Sequence, residues 1–381
     1  MDVERIEIKP GVARAAQLAE RVANRVVRTR DRIGKVAGRG RKANYDDGAY
    51  EFVGGPGETM RKRHYDKSMR LLWKAEEHAP YLDFRDCTKA ERALFTQALE
   101  AMSPEEKAQL QRIGLPEFKE KLDAHYTPRQ KQAIVNVLSA IGHGEAYAWL
   151  VSAELLGEVE STGARAALTM QVLEEAKHFV VLRQFLQAFD VPIPRQSAWE
   201  YLFLEGVFKA DGLEKLFGMN VAVEGIALSL FGLFGGWPGL ELLRLFHLDE
   251  SRHTALPHNY FNEFPMSAWQ KHSPVARWRR FKMILPALAL IVQLEDDLAV
   301  LGIDAFEFGG SVLRKVTYLA ERSGFYLAVP SKALLPALNE VFNAYCTLTR
   351  DGHERQMFTS AESTSGMEEL AVEAGIFATA S

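Results

Sequence analysis

The sequence predicts an all-α protein, and three observations support this fold class. Apolar residues recur at helical spacing over several long segments, and no convincing alternating β-strand pattern interrupts them. Helix-start signals also recur, because capping boxes occur at three pairs of residues: Thr88 with Glu91, Ser103 with Glu106, and Thr127 with Gln130. Two of these starts have proline at the first helical position, as Pro104 and Pro128.

The composition is that of an ordinary globular protein, with 47% hydrophobic and 25% charged residues. The net charge of −4 gives no sign of a nucleic-acid partner. The two cysteines, Cys87 and Cys346, are far apart and match no metal-binding or redox spacing. We therefore expect a reducing compartment and a core without disulfides.

The apolar runs and the first residues bear on the location of the protein. Acidic and basic residues interrupt the first apolar positions, so no secretory signal is expected there. The apolar run 216–235 contains Asn220 and Glu224, and the run 283–294 is too short to cross a bilayer core of about 30 Å. We expect both runs to be buried helices and the protein to be cytoplasmic.

The segment 1–57 is predicted to be an amino-terminal extension that ends in a loop over 45–57. Its first 42 residues contain twelve Lys or Arg against five Asp or Glu. Arginines surround an apolar stripe of helical spacing, formed by Ala15, Leu18, Val22, Val26 and Ile33. Two interpretations stay open: the helix packs on the main body, or it docks on an anionic partner or a membrane surface.

Four helices are predicted in the centre of the chain, over residues 128–159, 164–189, 212–234 and 239–256. Glycine and proline clusters separate them. Further helices are predicted over 275–301, 306–321 and 332–349. We expect a helical domain over 58–350 with its bundle at 128–257, followed by a mobile tail over 351–381.

The second and fourth of these helices each contain a Glu-x-x-His motif, Glu175 with His178 and Glu250 with His253. Residues three apart lie on the same helical face. That face is otherwise apolar, with Leu168, Val172, Phe179, Leu182 and Leu186 on the second helix and Leu243 and Phe246 on the fourth. Both motifs therefore point into the core, where a carboxylate is costly unless it is paired or binds a metal.

One inward glutamate on each remaining helix completes a predicted two-metal site. Glu224 is the candidate on the third helix, where it follows the apolar stripe. On the first helix, distances from the connecting turn allow Glu145 or Glu154, and the apolar stripe favours Glu145. Carboxylate-rich sites favour iron and manganese. The alternative is a plain helical bundle with internal ion pairs.

Other polar residues are expected around this site. The pseudo-symmetry of the two helix pairs predicts Asp249 beside His178 and Glu174 beside His253, although both acids could instead be solvated surface charges. Three further residues are expected near the site. His247 is an additional ligand or a neighbour of the site, and Tyr147 is redox-active or packed in the core. His143 caps or packs nearby.

The chain resembles the ferritin-like superfamily of di-metal carboxylate proteins related to the ribonucleotide reductase small subunit, and most of all its ligand-binding oxidases. The resemblance covers roughly 71–260 and rests on four segments: Gly-Glu-Ala at 144–146, Leu-Glu-Glu-Ala-Lys-His at 173–178, Val-Glu-Gly at 223–225 and Asp-Glu-Ser-Arg-His at 249–253. Bacterial multicomponent di-iron monooxygenases have a motif similar to the last. The resemblance implies a ferritin-like four-helix bundle core with additional N- and C-terminal helices. It also implies Glu175 and Glu250 as bridging ligands and Glu145 and Glu224 as terminal ones.

Two departures limit what the resemblance implies. Reductase small subunits have a radical-forming tyrosine where this chain has Leu182, so a role in nucleotide reduction is not expected. The ligand-binding oxidases cross-link a tyrosine to a valine, and the corresponding residues here are Met219 and Tyr147. That cross-link, and with it the substrate class of those oxidases, therefore does not transfer to this chain.

We expect a cofactor of two iron ions, or one iron and one manganese, that activates O2 to hydroxylate, desaturate or oxidise a small apolar or amphipathic substrate. An apolar pocket is predicted at Phe179, Leu182, Leu228 and Phe231. The resemblance further implies a ferredoxin or reductase as electron donor and a homodimer. Two other classes stay open: a ferroxidase or iron-handling protein without an organic substrate, and a non-enzymatic helical interaction protein.

Overall fold

The computed structural model describes residues 3, 5–37, 45, 96, 116–159, 162–260 and 267–357. Over these residues the chain is helical and contains no strand, so the predicted all-α class is confirmed for the described part. The predicted capping boxes at Thr88 and Ser103, Cys87 and most of the predicted loop 45–57 lie outside the described residues. So do positions 358–381 of the predicted tail, whereas Gln356 and His353 hydrogen-bond to Asn343.

The helices of the described residues are numbered here in chain order. They are α1 (Val12–Val36), α2 (Pro116–His125), α3 (Pro128–Leu155), α4 (Thr162–Gln187), α5 (Ala198–Phe208), α6 (Gly212–Phe217), a π-helical segment (Gly218–Val223), α7 (Glu224–Phe234), α8 (Leu243–Tyr260), α9 (Ala268–His272), α10 (Pro274–Val300), α11 (Ala305–Arg322) and α12 (Ser331–Thr349). The predicted central and carboxy-terminal helices are all present, with ends shifted by a few residues. Helices α2, α5 and α9 were not predicted.

Local sequence explains where α3 and α5 begin. At α3, the Thr127 hydroxyl accepts from the Gln130 backbone N–H and the Gln130 side chain accepts from the Thr127 N–H, which confirms the predicted capping box. Ser197 and Glu200 form the same reciprocal pair at the start of α5. Each box satisfies backbone donors that the first helical turn leaves without a partner.

The predicted end of the fourth central helix before Pro257 is wrong, because α8 continues through this proline to Tyr260. Proline has no N–H, so it removes the backbone hydrogen bond to the carbonyl four residues earlier. That carbonyl belongs to His253, and it accepts a hydrogen bond from the Asn220 side-chain amide at 3.0 Å instead. A side chain from the π-helical segment thus compensates for the proline.

Two helix pairs form the centre of the described structure. Helix α3 packs against α4, and α7 packs against α8; the pairs meet through contacts of α4 with α8 and of α3 with the π-helical segment. Residues Gly212–Phe234 form a helix long and apolar enough to cross a membrane, but most of it is buried inside the protein. The expectation for 283–294 needs correction, since Leu285 is exposed while Ala287 and Leu290 are buried.

Helix α1 packs on the main body against α5 and α10. Asp31 accepts a hydrogen bond from the Tyr201 hydroxyl at 2.8 Å, and Arg30 pairs with Glu205 at 2.6 Å. The first of the two interpretations holds for the helix, but its apolar stripe does not face the body. Leu18 and Val26 are more than half exposed, because the inward face of α1 is instead formed around Val27, Asp31 and Gly34.

Asp297, near the end of α10, yields a prediction about stability. Burial raises its pKa to about 6, although a hydrogen bond from the Asn136 amide opposes this shift. Since the folded pKa lies above the value of about 3.9 for an unfolded aspartate, ionisation destabilises the fold, and this destabilisation grows as pH rises between the two values. We expect Asp297→Asn to raise the free energy of unfolding by up to about 3 kcal/mol at neutral pH and hardly at all near pH 4.

Urea unfolding of Asp297→Asn and the wild type at both pH values measures this difference. The control is Asp351→Asn, whose effect is expected to be small because the Asp351 side chain is 91% exposed and therefore well solvated. A variant that is less stable than the wild type at neutral pH would show that the hydrogen bond from Asn136 outweighs the burial of the charge.

Candidate metal centre

The structure brings all six predicted ligands into one buried cluster. Glu145 comes from α3, Glu224 from α7, and the two Glu-x-x-His motifs come from α4 and α8. Every one of these side chains is at most 3% exposed. Two overlapping groups have their candidate ligand atoms within 4.8 Å of one another: Glu145, Glu175, His178 and Glu250 in the first, and Glu175, Glu224, Glu250 and His253 in the second.

Both histidines direct Nδ1 into the cluster. His178 Nδ1 lies 2.9 Å from Glu250 Oε1 and 3.5 Å from Glu145 Oε2. His253 Nδ1 lies 2.9 Å from Glu250 Oε2 and 3.1 Å from Glu175 Oε1. Glu175 and Glu250 belong to both groups, so each can offer one oxygen to either side. This is the arrangement that two adjacent cations with bridging carboxylates require.

The donor set fits two divalent cations. Glu175 Oε2 is buried without a hydrogen bond, and the 2.9 Å contact between His178 Nδ1 and Glu250 Oε1 does not have hydrogen-bond geometry, so these two buried atoms also lack a hydrogen-bond partner. Such atoms are costly in a core unless another partner binds them. Four carboxylates and two neutral imidazoles carry a charge of about −4, which two divalent cations would neutralise. The two groups could therefore each hold a metal ion.

The carboxylates and imidazoles of the cluster shift one another's pKa values. Burial and the neighbouring carboxylates raise the pKa of Glu145 and of Glu224 well above the usual value. Burial alone would lower the pKa of His178 and of His253, but the surrounding carboxylates outweigh it and raise both well above the usual value. The same imidazolium charges overcome burial at Glu250 and hold its pKa well below the usual value.

The acidic residues outside the cluster lie where they were predicted. His178 Nε2 lies 3.1 Å from Asp249 Oδ2, and His253 Nε2 lies 2.9 Å from Glu174 Oε2. These contacts fix each imidazole ring so that Nδ1 points inward. Arg252 pairs with both acids, and Lys177 donates to Asp249 at 2.6 Å. The interpretation of these acids as solvated surface charges is therefore wrong.

A second polar contact to the cluster was missed in the sequence. The Gln171 amide nitrogen donates to Glu175 Oε1 and to Glu224 Oε1, both at 3.0 Å, and Asn220 donates to the Gln171 carbonyl at 2.9 Å. Gln171 lies four residues before Glu175 and therefore on the same face of α4, so its spacing was an available signal. Asn220 lies in the π-helical segment, which periodicity did not reveal.

This contact predicts that Gln171 orients the ligands of one metal position. In Gln171→Leu, Glu175 and Glu224 lose their shared donor, so we expect about tenfold to hundredfold weaker binding of one metal ion and little change for the other. Titration of Mn(II) into the metal-free variant, with a competing chelator, measures both affinities. Gln184→Leu, at an exposed position of the same helix, is the control. An equal loss of affinity for both ions, or no loss for either, would contradict this role.

The remaining residues near the site are accounted for by other contacts. His247 Nδ1 lies 2.9 Å from the Leu228 carbonyl oxygen, and His247 belongs to neither candidate group. His143 pairs with Glu200 at 2.9 Å. Tyr147 is buried and packs edge-to-face on Phe208. Glu154, the alternative to Glu145, pairs with Lys215 and lies outside the cluster.

An apolar cavity of about 90 Å³ adjoins the cluster on the side of Glu145 and Glu224. Its walls come largely from helices outside the two central pairs, with Phe203 and Leu204 on α5 and Phe281, Ile284 and Leu288 on α10. The four residues predicted to line a substrate pocket lie elsewhere. Phe179, Leu182 and Phe231 pack in the hydrophobic core, Leu228 is fully buried, and none of the four lines this cavity.

Comparisons of the chain with protein-family models, with curated proteins and with solved structures found no match.

Proposed function

We propose that the protein is a ferritin-like di-metal carboxylate oxidase or oxygenase that holds two iron ions, or one iron and one manganese, and activates O2. The observation that carries this proposal is the pair of overlapping Glu/His groups that share Glu175 and Glu250. When bound, such a pair of ions supplies the electrons that O2 activation requires.

The residues around the ions would have three roles: they would place the substrate, exclude water and keep the ligands in position. Glu145 and Glu224 belong to the candidate groups and also line the apolar cavity, so a substrate in that cavity would lie beside the metal ligands. The apolar walls exclude water from the reacting atoms. Asp249 and Glu174 hold the histidines in one orientation, which keeps the ligand geometry fixed.

The cavity supports a small apolar substrate, or the apolar part of an amphipathic one, for hydroxylation, desaturation or oxidation. A volume of about 90 Å³ suits a small group better than a bulky one. On the opposite side of the histidines, Lys177 and Arg252 are partly exposed cations bound to Asp249. This surface suits an acidic electron donor such as a ferredoxin. We propose the cytoplasm as the location of the protein.

Metal content per chain tests the proposal most directly. The protein is expressed with iron and manganese available, and the wild type is expected to contain two equivalents of metal. Glu175→Ala and Glu250→Ala each remove a carboxylate shared by both groups, so both are expected to lose nearly all bound metal. Glu120→Ala, at an exposed position, is the matched control and is expected to retain two equivalents.

The outcomes separate the candidate functions. Iron alone would favour a di-iron oxygenase, and equal iron and manganese would favour similarity to the ligand-binding oxidases. Less than half an equivalent in a normally folded wild type would contradict the proposal and leave a helical interaction protein. A cage-sized particle on gel filtration, with iron oxidation but no organic substrate, would instead favour an iron-handling protein.

A further inference from the structure

Helix α1 has three distinct faces. Its inward face contains Val27, Asp31 and Gly34 and packs on the body. A second face is a row of exposed cations, consisting of Arg14, Arg21, Arg25, Arg32 and Lys35. The third is an apolar stripe beside this row, formed by Leu18, Val22, Val26, Ile33 and Val36, whose side chains are between 57% and 90% exposed.

The two acidic residues of α1 are directed toward the body. Glu20 accepts hydrogen bonds from the Ala198 backbone N–H at 2.8 Å and from Asn24 at 2.7 Å. Asp31 is buried and accepts from the Tyr201 hydroxyl. The charges on the outward faces of α1 are therefore all positive, and they lie next to an exposed apolar stripe.

Part of the apolar stripe forms one wall of a groove between α1 and α5. Trp199 and Leu202 of α5 line this groove, which has a volume of about 650 Å³, together with the apolar residues of α1. The next residues of α5, Phe203 and Leu204, line the apolar cavity beside the metal cluster. Helix α5 thus has apolar residues that line the groove and others that line the cavity.

We propose that α1 is a docking surface for an anionic lipid membrane. The helix would lie in the plane of the interface, with its apolar stripe at the boundary of headgroups and acyl chains and its cations on the lipid phosphates. A strongly amphipathic helix with arginines beside an exposed apolar face has the properties of such interfacial helices. Anionic headgroups also supply the negative charge that the outward surface of α1 lacks.

Lipid fits this surface better than a second copy of the chain does. A second copy would bring another α1 with the same row of cations and with both of its acids turned inward, so like charges would approach one another. A membrane instead offers both an apolar layer and a negative surface. It would also dissolve small apolar molecules near the groove, a consequence that rests on the proposed oxidase function.

Vesicle sedimentation of the full, metal-loaded chain tests the proposal. The probes are vesicles of phosphatidylcholine mixed equally with phosphatidylglycerol, and vesicles of phosphatidylcholine alone. The wild type is expected to sediment with the mixed vesicles, more weakly with the neutral ones, and less with both as salt increases.

Two variants separate the apolar and electrostatic contributions. Leu18→Gln/Val22→Gln/Val26→Gln is expected to reduce binding to the mixed vesicles by about tenfold or more, since it removes the apolar stripe. Arg21→Gln/Arg25→Gln/Arg32→Gln is expected to remove the preference for anionic vesicles. Val341→Gln/Leu348→Gln, at exposed positions of α12, is the matched control and is expected to bind like the wild type.

Three results would overturn the proposal: no sedimentation of the wild type with mixed vesicles, unchanged binding of the apolar variant, or a wild-type dimer that the apolar variant dissociates without any vesicle binding. The last result would assign the stripe to a second copy. Circular dichroism verifies that the variants are folded. Metal content, measured on the same samples, reports separately on the proposed metal site, so either proposal can fail alone.

Discussion

Binding of Fe(II) or Mn(II) to the metal-free protein is expected to release protons and to weaken as pH falls. The pKa values of Glu145, Glu224, His178 and His253 are all raised above the usual ones, because neighbouring carboxylates favour the protonated forms and burial adds to this effect at the two glutamates. A metal ligand must be deprotonated, so any proton on these four groups must leave when an ion binds.

Charge balance makes this exchange favourable in a buried site. Protons on the ligands and divalent cations both offset the negative charge of the four buried carboxylates. The cluster therefore avoids the large cost of an uncompensated buried charge when cations take the place of protons.

The pH dependence follows directly from this exchange. Protons compete with the metal ions for groups whose pKa values are raised, so metal affinity falls as pH falls. Each proton that leaves with the ions makes the overall binding constant change by about tenfold per pH unit. Calorimetric titration in buffers of different ionisation enthalpy counts the released protons. Metal binding without proton release, and with an affinity independent of pH, would contradict the raised pKa values.

The buried Glu/His cluster could be predicted because the residues that define it lie within short segments of the sequence. The three-residue spacing of each Glu-x-x-His motif and the apolar residues on the same face of α4 and α8 determine the inward direction of the ligands. Glu145 and Glu224 followed from the same reasoning on neighbouring helices. Hairpin pseudo-symmetry then sufficed to place Asp249 and Glu174 beside the histidines.

The features that were missed depend on contacts between distant segments. The continuation of α8 through Pro257 depends on Asn220, which is 37 positions earlier in the chain. The cavity depends on α5, which was not predicted, and on where α10 packs. For α1, periodicity identified the apolar stripe but could not tell whether the body would cover it. Here Tyr201 binds Asp31, so a polar residue faces inward.

Outside the metal cluster, the largest effect on stability is expected from Arg280→Leu. Arg280 is fully buried and binds Glu214 through two hydrogen bonds, Nε to Oε2 at 2.9 Å and Nη2 to Oε1 at 3.0 Å. Its guanidinium also lies 5.1 Å from the centre of the Phe325 ring. This side chain joins α10 to α6, immediately before the π-helical segment that leads to Glu224.

Removal of only one partner from a buried ion pair leaves the other charge without compensation, which costs about 3 to 5 kcal/mol. Burial already raises the pKa of Glu214 despite the opposing effect of Arg280, so the Glu214 carboxylate is costly to bury even with its partner present. Urea unfolding is expected to show this loss of stability for Arg280→Leu, but only a small change for Arg279→Leu at the exposed neighbouring position.

The double variant Glu214→Leu/Arg280→Leu is expected to recover most of the lost stability, because no buried charge remains. If the double variant is as unstable as the single one, packing against Phe325 rather than charge compensation determines the contribution of Arg280.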